Sequence, residues 1–268
     1  PERGRSCSTR AMPFIGQRNE SFDMFGDRSL EEVYGECLKE GTVLEANVLE
    51  HTLFLNRDGK FEARALPIEA QFAPVFGLNI ADFNNDGKED IFMAQNFFAS
   101  QRETPRSDGG RGLLMLGDGK GGLETISGVE SGITVYGEQR GSAVSDFNKD
   151  GRPDLVITQN GALTRLYQNK EARSGLRVKV NAGLANPTGV GSVVRLVLEG
   201  GKLGPARLIT AGSGYWSQDS AVQVLGSKEA TPTHLAVRWP GGKPTRTKIP
   251  KDFKEVHVGP DGKLIPSK

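Results

Sequence analysis

The apolar positions of this chain change period along its length. Between residues 29 and 41 they fall at Leu30, Val33, Tyr34, Cys37 and Leu38, the i, i+3, i+4, i+7, i+8 spacing of one helical face. Ser29 and Glu32 stand at the two positions of a capping box, and Gly41 stands where such a helix would stop. The pattern predicts a short N-terminal amphipathic helix of about three turns. Residues 1–28 hold no sustained period and read as an irregular lead-in. From residue 50 onward the texture is that of short strands and tight turns. Strands are predicted at 52–55, 60–63, 76–81, 90–94, 113–116, 123–126, 141–145, 154–158 and 163–168, with a polar surface loop at 100–111. After a polar linker at 169–174, seven more are predicted at 176–180, 193–198, 206–210, 221–225, 235–239, 245–249 and 255–258. Most of these alternate apolar and polar residues, as in Leu176/Val178/Val180 and Leu235/Val237/Trp239. Seven short strands with Gly/Pro turns between them predict a small β-sandwich with Trp239 in its core.

Within the first group of strands one segment occurs twice. ADFNNDGKEDIF at 81–92 returns as SDFNKDGRPDLV at 145–156, 64 residues on. Each copy places side-chain oxygens at loop positions 1, 3, 5 and 9: Asp82, Asn84, Asp86 and Asp90, then Asp146, Asn148, Asp150 and Asp154. Alternate residues of a tight loop can aim their oxygens at one point, which suits a hard cation such as Ca²⁺ that takes six to eight oxygen ligands. Gly87 and Gly151 follow position 5, where the chain must turn sharply. The backbone carbonyls of Lys88 and Arg152 at position 7 would complete the set. Neither copy is an EF-hand, because Met93 and Ile157 stand where that motif needs a bidentate Glu and strands rather than helices flank the loops. Two Ca²⁺ sites are therefore expected, each in a turn joining two strands. A metal-free Asp/Asn/Gly hairpin is the plainer reading, and the repetition of all four ligand types argues against it. Self-similar units of about four strands predict propeller blades. The count is half a blade, one complete blade and most of another, an incomplete propeller whose remaining blades are expected upstream in a longer chain.

Composition narrows the function classes. With 34 basic and 33 acidic residues the formal charge is +1, and no Lys/Arg run marks a nucleic-acid or membrane surface. No apolar run reaches spanning length. The opening Pro-Glu-Arg-Gly reads as a fragment or processed piece. Loops of this ligand type saturate at millimolar Ca²⁺, so a secreted or cell-surface location is expected. Two cysteines are too few for a disulfide framework; Cys7 and Cys37 could pair, and a buried Cys37 is the favoured alternative.

Catalytic machinery is not visible. His51, His234 and His257 are scattered, and a structural role is expected for those in strands. Gly212-Ser-Gly214 lacks the strand–turn–helix setting of a nucleophile elbow, and its glycines are expected to serve a tight bend beside Tyr215 and Trp216. Those two rings could stack on sugar, against the plainer reading of one core ring and one semi-exposed ring.

The two acidic segments resemble FG-GAP/VCBS repeats, the calcium-bearing blades of integrin-α-like propellers. Three later segments, GVGSVVRLVL at 189–198, GSGYWSQDS at 212–220 and VRWPGG at 237–242, resemble the ASPIC/UnbV domain. Together they are similar to bacterial relatives of the cartilage acidic protein family, over about residues 52–258. One departure is Val222-Gln-Val-Leu-Gly226, where many members carry a His-Phe-Gly-Leu-Gly-like segment. The resemblance implies an all-β chain: lead-in and helix at 1–50, incomplete propeller at 51–170, ASPIC/UnbV-like sandwich at 175–260. It also implies a secreted, non-catalytic protein of the cell-adhesion type that binds protein or glycan. An accessory or catalytic part of a secreted polysaccharide-acting enzyme is the alternative.

Overall fold

The computed structural model describes residues 4–42, 44–100, 104–228 and 230–265, and the chain forms two compact units. The smaller comprises residues 1–50 and 98–106. Its regular structure is five short helices: α1 (Arg5–Ala11), α2 (Phe14–Arg18), α3 (Phe22–Gly26), α4 (Leu30–Tyr34) and α5 (Cys37–Glu40). Two expectations are corrected here. The lead-in is helical in short pieces, and Ser21 caps α3 by accepting from Met24 N. The helix expected from residue 30 begins with the anticipated Ser29/Glu32 capping box but breaks at Gly35, which has φ +59°. The amphipathic run is thereby divided into α4 and α5, and a Cβ at the break would collide with the Arg18 guanidinium, so the position suits only glycine. Cys37 is exposed rather than buried, and both cysteines are free. Of the polar loop expected at 100–111, residues 98–106 group with this unit, and 101–103 lie outside the described residues.

The larger unit, His51–Phe97 and Ser107–Lys268, is built from strands. β1 (Thr52–Arg57) and β2 (Lys60–Ala65) form a hairpin. Its two-residue turn, Asp58-Gly59, has both residues at positive φ, which matches the twist of the strands it joins. β3 (Val75–Ala81), β4 (Asp90–Gln95), β5 (Leu113–Gly117) and β6 (Leu123–Ile126) form a four-stranded antiparallel meander. After α6 (Gly128–Ser131), β7 (Glu138–Ser145), β8 (Asp154–Asn160) and β9 (Ala162–Tyr167) form a second, three-stranded meander. β3 and β7 lie side by side: Asn79 Nδ2 donates to Ser142 O at 3.2 Å, and Ser142 Oγ donates to Asn79 Oδ1. Phe92, Ile133, Val135, Leu155 and Ile157 fill the space between the two meanders. No sheet closes into a barrel among the described residues.

The remaining strands are β10 (Leu176–Val180), β11 (Val193–Leu198), β12 (Arg207–Leu208), β13 (Gln223–Leu225), β14 (Pro232–Arg238), β15 (Thr245–Lys248) and β16 (Glu255–Val258). They make a three-stranded sheet in the order β13-β10-β16, with β10 and β16 parallel, and a four-stranded sheet in the order β12-β11-β14-β15. Alternation explains the core: Leu176, Val178 and Val180 of one sheet meet Val194, Leu196, Leu235 and Val237 of the other. Trp239 is buried with them, and its indole N–H donates to Thr245 Oγ1 at 2.8 Å. The boundary expected at 170–175 falls inside this unit.

Candidate metal centre

The two acidic loops occupy equivalent corners. Ala81 pairs with Asp90 across β3–β4, and Ser145 pairs with Asp154 across β7–β8, so each loop spans the same eight residues. Their internal hydrogen bonds also correspond. Asp82 Oδ1 accepts from Asp86 N at 2.9 Å and Oδ2 from Gly87 N at 2.8 Å; Asp146 does the same with Asp150 N at 3.0 Å and Gly151 N at 2.8 Å. Asn84 and Asn148 each accept from the same position-5 amide, at 3.0 and 3.2 Å. Asp86 and Asp150 accept from the position-7 amides of Lys88 and Arg152 at 3.0 Å each. Asp90 reaches back to Phe83 N and across to Gly117 N; Asp154 reaches back to Phe147 N and across to Asn169 N. Asn85 and Lys149 at position 4, and Gly87 and Gly151 at position 6, all have positive φ. The repetition seen in the sequence is thus a repetition of backbone path and hydrogen bonding.

The carboxylates sit in costly surroundings. Burial pushes Asp82 up to about 7, with repulsion from Asp90 adding to it. Asp90 is pushed up to about 6, chiefly by burial and then by Asp86. Burial also raises Asp154, helped by Asp150 and Asp146. In each loop, then, the position-9 carboxylate is close enough to its neighbours to feel their charge. Among the described residues no three His, Cys, Asp or Glu side chains are gathered as a ready-made metal ligand set. Each Asp82 oxygen spends one lone pair on an amide and keeps another, so the first donor set is compatible with a hard cation, whereas Asp146 Oδ2 accepts from both Gly151 N and Arg177.

The C-terminal sheets pack directly on these loops. Asn85 Nδ2 donates to Gly151 O and Arg173 O, tying the first loop to the second and to the segment that follows β9. Gly226, just after β13, lies so close that a Cβ would fall 2.4 Å from Asp82 Oδ2. Arg207 of β12 grips Glu89, Nε to Oε1 and Nη2 to Oε2, both at 2.7 Å. Arg177 of β10 bonds Asp146 Oδ2 and, at 2.8 Å, Glu255 Oε2. Nothing in the polarity pattern foretold these arginines, because each reads as an ordinary outward position of a strand.

The Tyr215/Trp216 loop lies over the inner strands. Gly212 (φ +129°) and Gly214 (φ +104°) make the expected bend, and Trp216 itself has φ +49°. Asp219 anchors the loop by accepting from Asn79 Nδ2 at 2.9 Å and Val144 N at 2.7 Å. Both rings are exposed, Tyr215 at 43% and Trp216 at 91%, in place of the core-and-surface pair of the plainer reading. Tyr215 meets Phe76 edge-on, and Phe76 stacks under Arg140 at 4.0 Å. A separate cleft of about 610 Å³ opens beside the first acidic loop, bordered by Phe83, Leu114, Val129, Leu155, Tyr167 and Asn169. Two histidines are held in local hydrogen bonds: His51 Nδ1 bonds Ala70 O at 2.7 Å and His234 Nδ1 bonds Thr233 Oγ1.

Residues 183–261, from the approach to β11 to beyond β16, match the family described as ASPIC and UnbV. Over 203 residues, 72% of this chain, the sequence is 25% identical to cartilage acidic protein 1 of Xenopus tropicalis. That match takes in 30% of the relative's length. The two acidic loops lie outside the family-matched segment. Among the described residues no helix is long and apolar enough to cross a membrane.

Proposed function

We propose that this chain is part of a non-catalytic, Ca²⁺-stabilised binding protein acting outside the cytoplasm, with the two meanders as blades of the FG-GAP/VCBS type. The observation that carries this reading is the correspondence, hydrogen bond by hydrogen bond, of two acidic loops whose position-1 and position-9 carboxylates are buried. Asp82, Asn84, Asp86 and Asp90 with the Lys88 carbonyl would hold one ion, and Asp146, Asn148, Asp150 and Asp154 with the Arg152 carbonyl the other. A bound dication would offset the mutual repulsion of carboxylates that burial already disfavours in ionised form. At extracellular-type affinities and millimolar Ca²⁺ each site would add roughly 0.6–2 kcal/mol, enough to pin a strand pair but not to fold a domain. The ion is then a structural clip, and the exposed loops are left to engage a protein or glycan partner. A rise in melting temperature with Ca²⁺ that chelator reverses is the expected result; identical melting curves in Ca²⁺ and chelator would defeat the reading.

A second reading, an accessory or catalytic part of a polysaccharide-acting enzyme, is favoured by the exposure of both Tyr215 and Trp216 on a pinned loop. A glycan panel on the native chain and on Trp216→Ala tests it. Retention that disappears in the variant supports sugar binding, and no retention of any glycan by either protein rejects it.

A further inference from the structure

The two loops match in sequence and in backbone, yet the charges packed against them differ. Around the first loop, Asp82 meets the glycine backbone at Gly226, and among the described residues the cation touching one of the four proposed ligand side chains is Lys88, 3.6 Å from Asp86 and partly exposed. Arg207 lies nearby with its guanidinium taken by Glu89. Around the second loop two guanidinium groups bind the carboxylates directly. Arg152 lies 3.0 Å from Asp150. Arg177 bonds Asp146 with both side chains removed from solvent, at 6% and 0% exposure. Arg177 is held from behind by Glu255, which Lys179 also binds at 2.8 Å. Burial works to lower the Arg177 pKa, but its bonds to Glu255 and Asp146 outweigh that and hold it above the ordinary value.

We propose that Arg177 is a tethered cation doing for the second loop what a divalent ion does for the first, so that the chain has one tight Ca²⁺ site, at Asp82–Asp90, and not two. This rests on reading the loops as cation sites. Affinity in oxygen-ligand loops follows the number of uncompensated ligand charges. The three ligand carboxylates of the first loop are touched by one peripheral lysine, and the charge of Arg207 reaches Asp82 from its pairing with Glu89 without a bond to it. The second brings three against two arginines, one of them buried. Arg177 cannot readily yield its place, because withdrawing it would leave Asp146 and Glu255 short of a buried partner beneath the β10 sheet. A dication entering the second loop must therefore share Asp146 with a fixed positive charge. The arrangement also assigns the repeated pair of loops different duties: the first responds to the surrounding Ca²⁺ concentration, and the second is locked to the C-terminal sheets.

The test is the stoichiometry of Ca²⁺ binding to the full chain, by calorimetry and by Tb³⁺ luminescence displaced with Ca²⁺. The native chain is expected to bind one ion, with any second at least roughly tenfold weaker. Asp86→Asn should abolish the tight site. Arg177→Gln should create a second site of comparable affinity, with Trp239 fluorescence reporting that the C-terminal core is intact. Two equivalent sites in the native chain, or a tight site surviving in Asp86→Asn, would overturn the proposal while leaving the loops as cation sites. If Arg177→Gln does not fold, those two measurements decide alone. No binding by the native chain would remove the cation reading itself, and this proposal with it.

Discussion

The buried carboxylates of the first loop predict an inverted response to pH. Asp82 titrates near 7 in the folded protein and near 3.9 when unfolded, so ionising it in place costs about 4 kcal/mol. Between those values the folded state holds a proton that the unfolded state has released. Stability without a cation must therefore fall as pH rises through that window and level off above about pH 7. Asp90, raised to about 6, acts in the same direction. About 3 kcal/mol of that cost falls between about pH 4.5 and pH 8, which for a unit of this size corresponds to a drop in Tm of roughly 6–12 °C. Both tryptophans, Trp216 and Trp239, lie in the larger unit, so melting followed by tryptophan fluorescence reads that unit alone. Other carboxylates pull the opposite way, notably Glu255, for which its bonds to Lys179 and Arg177 outweigh burial and lower the pKa. The measure is accordingly the difference in slope between the native chain and Asp82→Asn, both in chelator. The native slope should be the more negative. Added Ca²⁺ should raise Tm at about pH 8 and do little at about pH 4.5, where a protonated Asp82 is a poor ligand. Equal slopes in the two proteins, or a Ca²⁺ effect independent of pH, would refute the reasoning.

Further outcomes follow from individual contacts. Gly226→Ala pushes a methyl into Asp82 Oδ2 and the Asn85 backbone and should cost about 1–3 kcal/mol or more. Gly161→Ala, at φ +73° with open space around it, should cost only about 1 kcal/mol, and chemical denaturation compares the two. Arg177→Met should lose about 3–5 kcal/mol in chelator by stranding Asp146, with part of the loss recovered by Ca²⁺ in the same denaturation assay. Trp239→Ala should lose about 3–5 kcal/mol from the C-terminal core. Trp216→Gly, which relieves a left-handed backbone at an exposed ring, should leave Tm unchanged or slightly raised.

The strands were legible because each obeys a local rule. All seven C-terminal strands fall where period-2 alternation placed them, and β10, β11 and β16 match residue for residue, since burial on one face leaves no other register. The acidic loops were legible for a related reason: a turn that must satisfy its own amides uses Asp, Asn and Gly at set offsets. The helical unit was not. Leu30 to Leu38 keeps a helical period across Gly35, and the Arg18 guanidinium that bars a side chain at that break is 17 residues away in sequence. The contacts of Arg177 and Arg207 were hidden for the same reason. A single arginine on a strand carries no periodicity, and its partner is chosen by how two sheets meet.

Those hidden contacts bear on why the larger unit does not divide at its linker. The paired meanders, which share a core, and the two-sheet C-terminal region have separate cores, so hydrophobic burial alone would permit a hinge between them. What joins them is polar: Arg177 to Asp146, Arg207 to Glu89, Asn85 to Arg173, and Asp219 to Asn79 and Val144. Every one of these bonds ends on an acidic loop or on the inner strands β3 and β7. Desolvated charge pairs fix orientation more strictly than apolar contact does, because a small slip leaves a buried charge without its partner. A cation in the first loop would stiffen the same surface on which Arg207 and Gly226 rest.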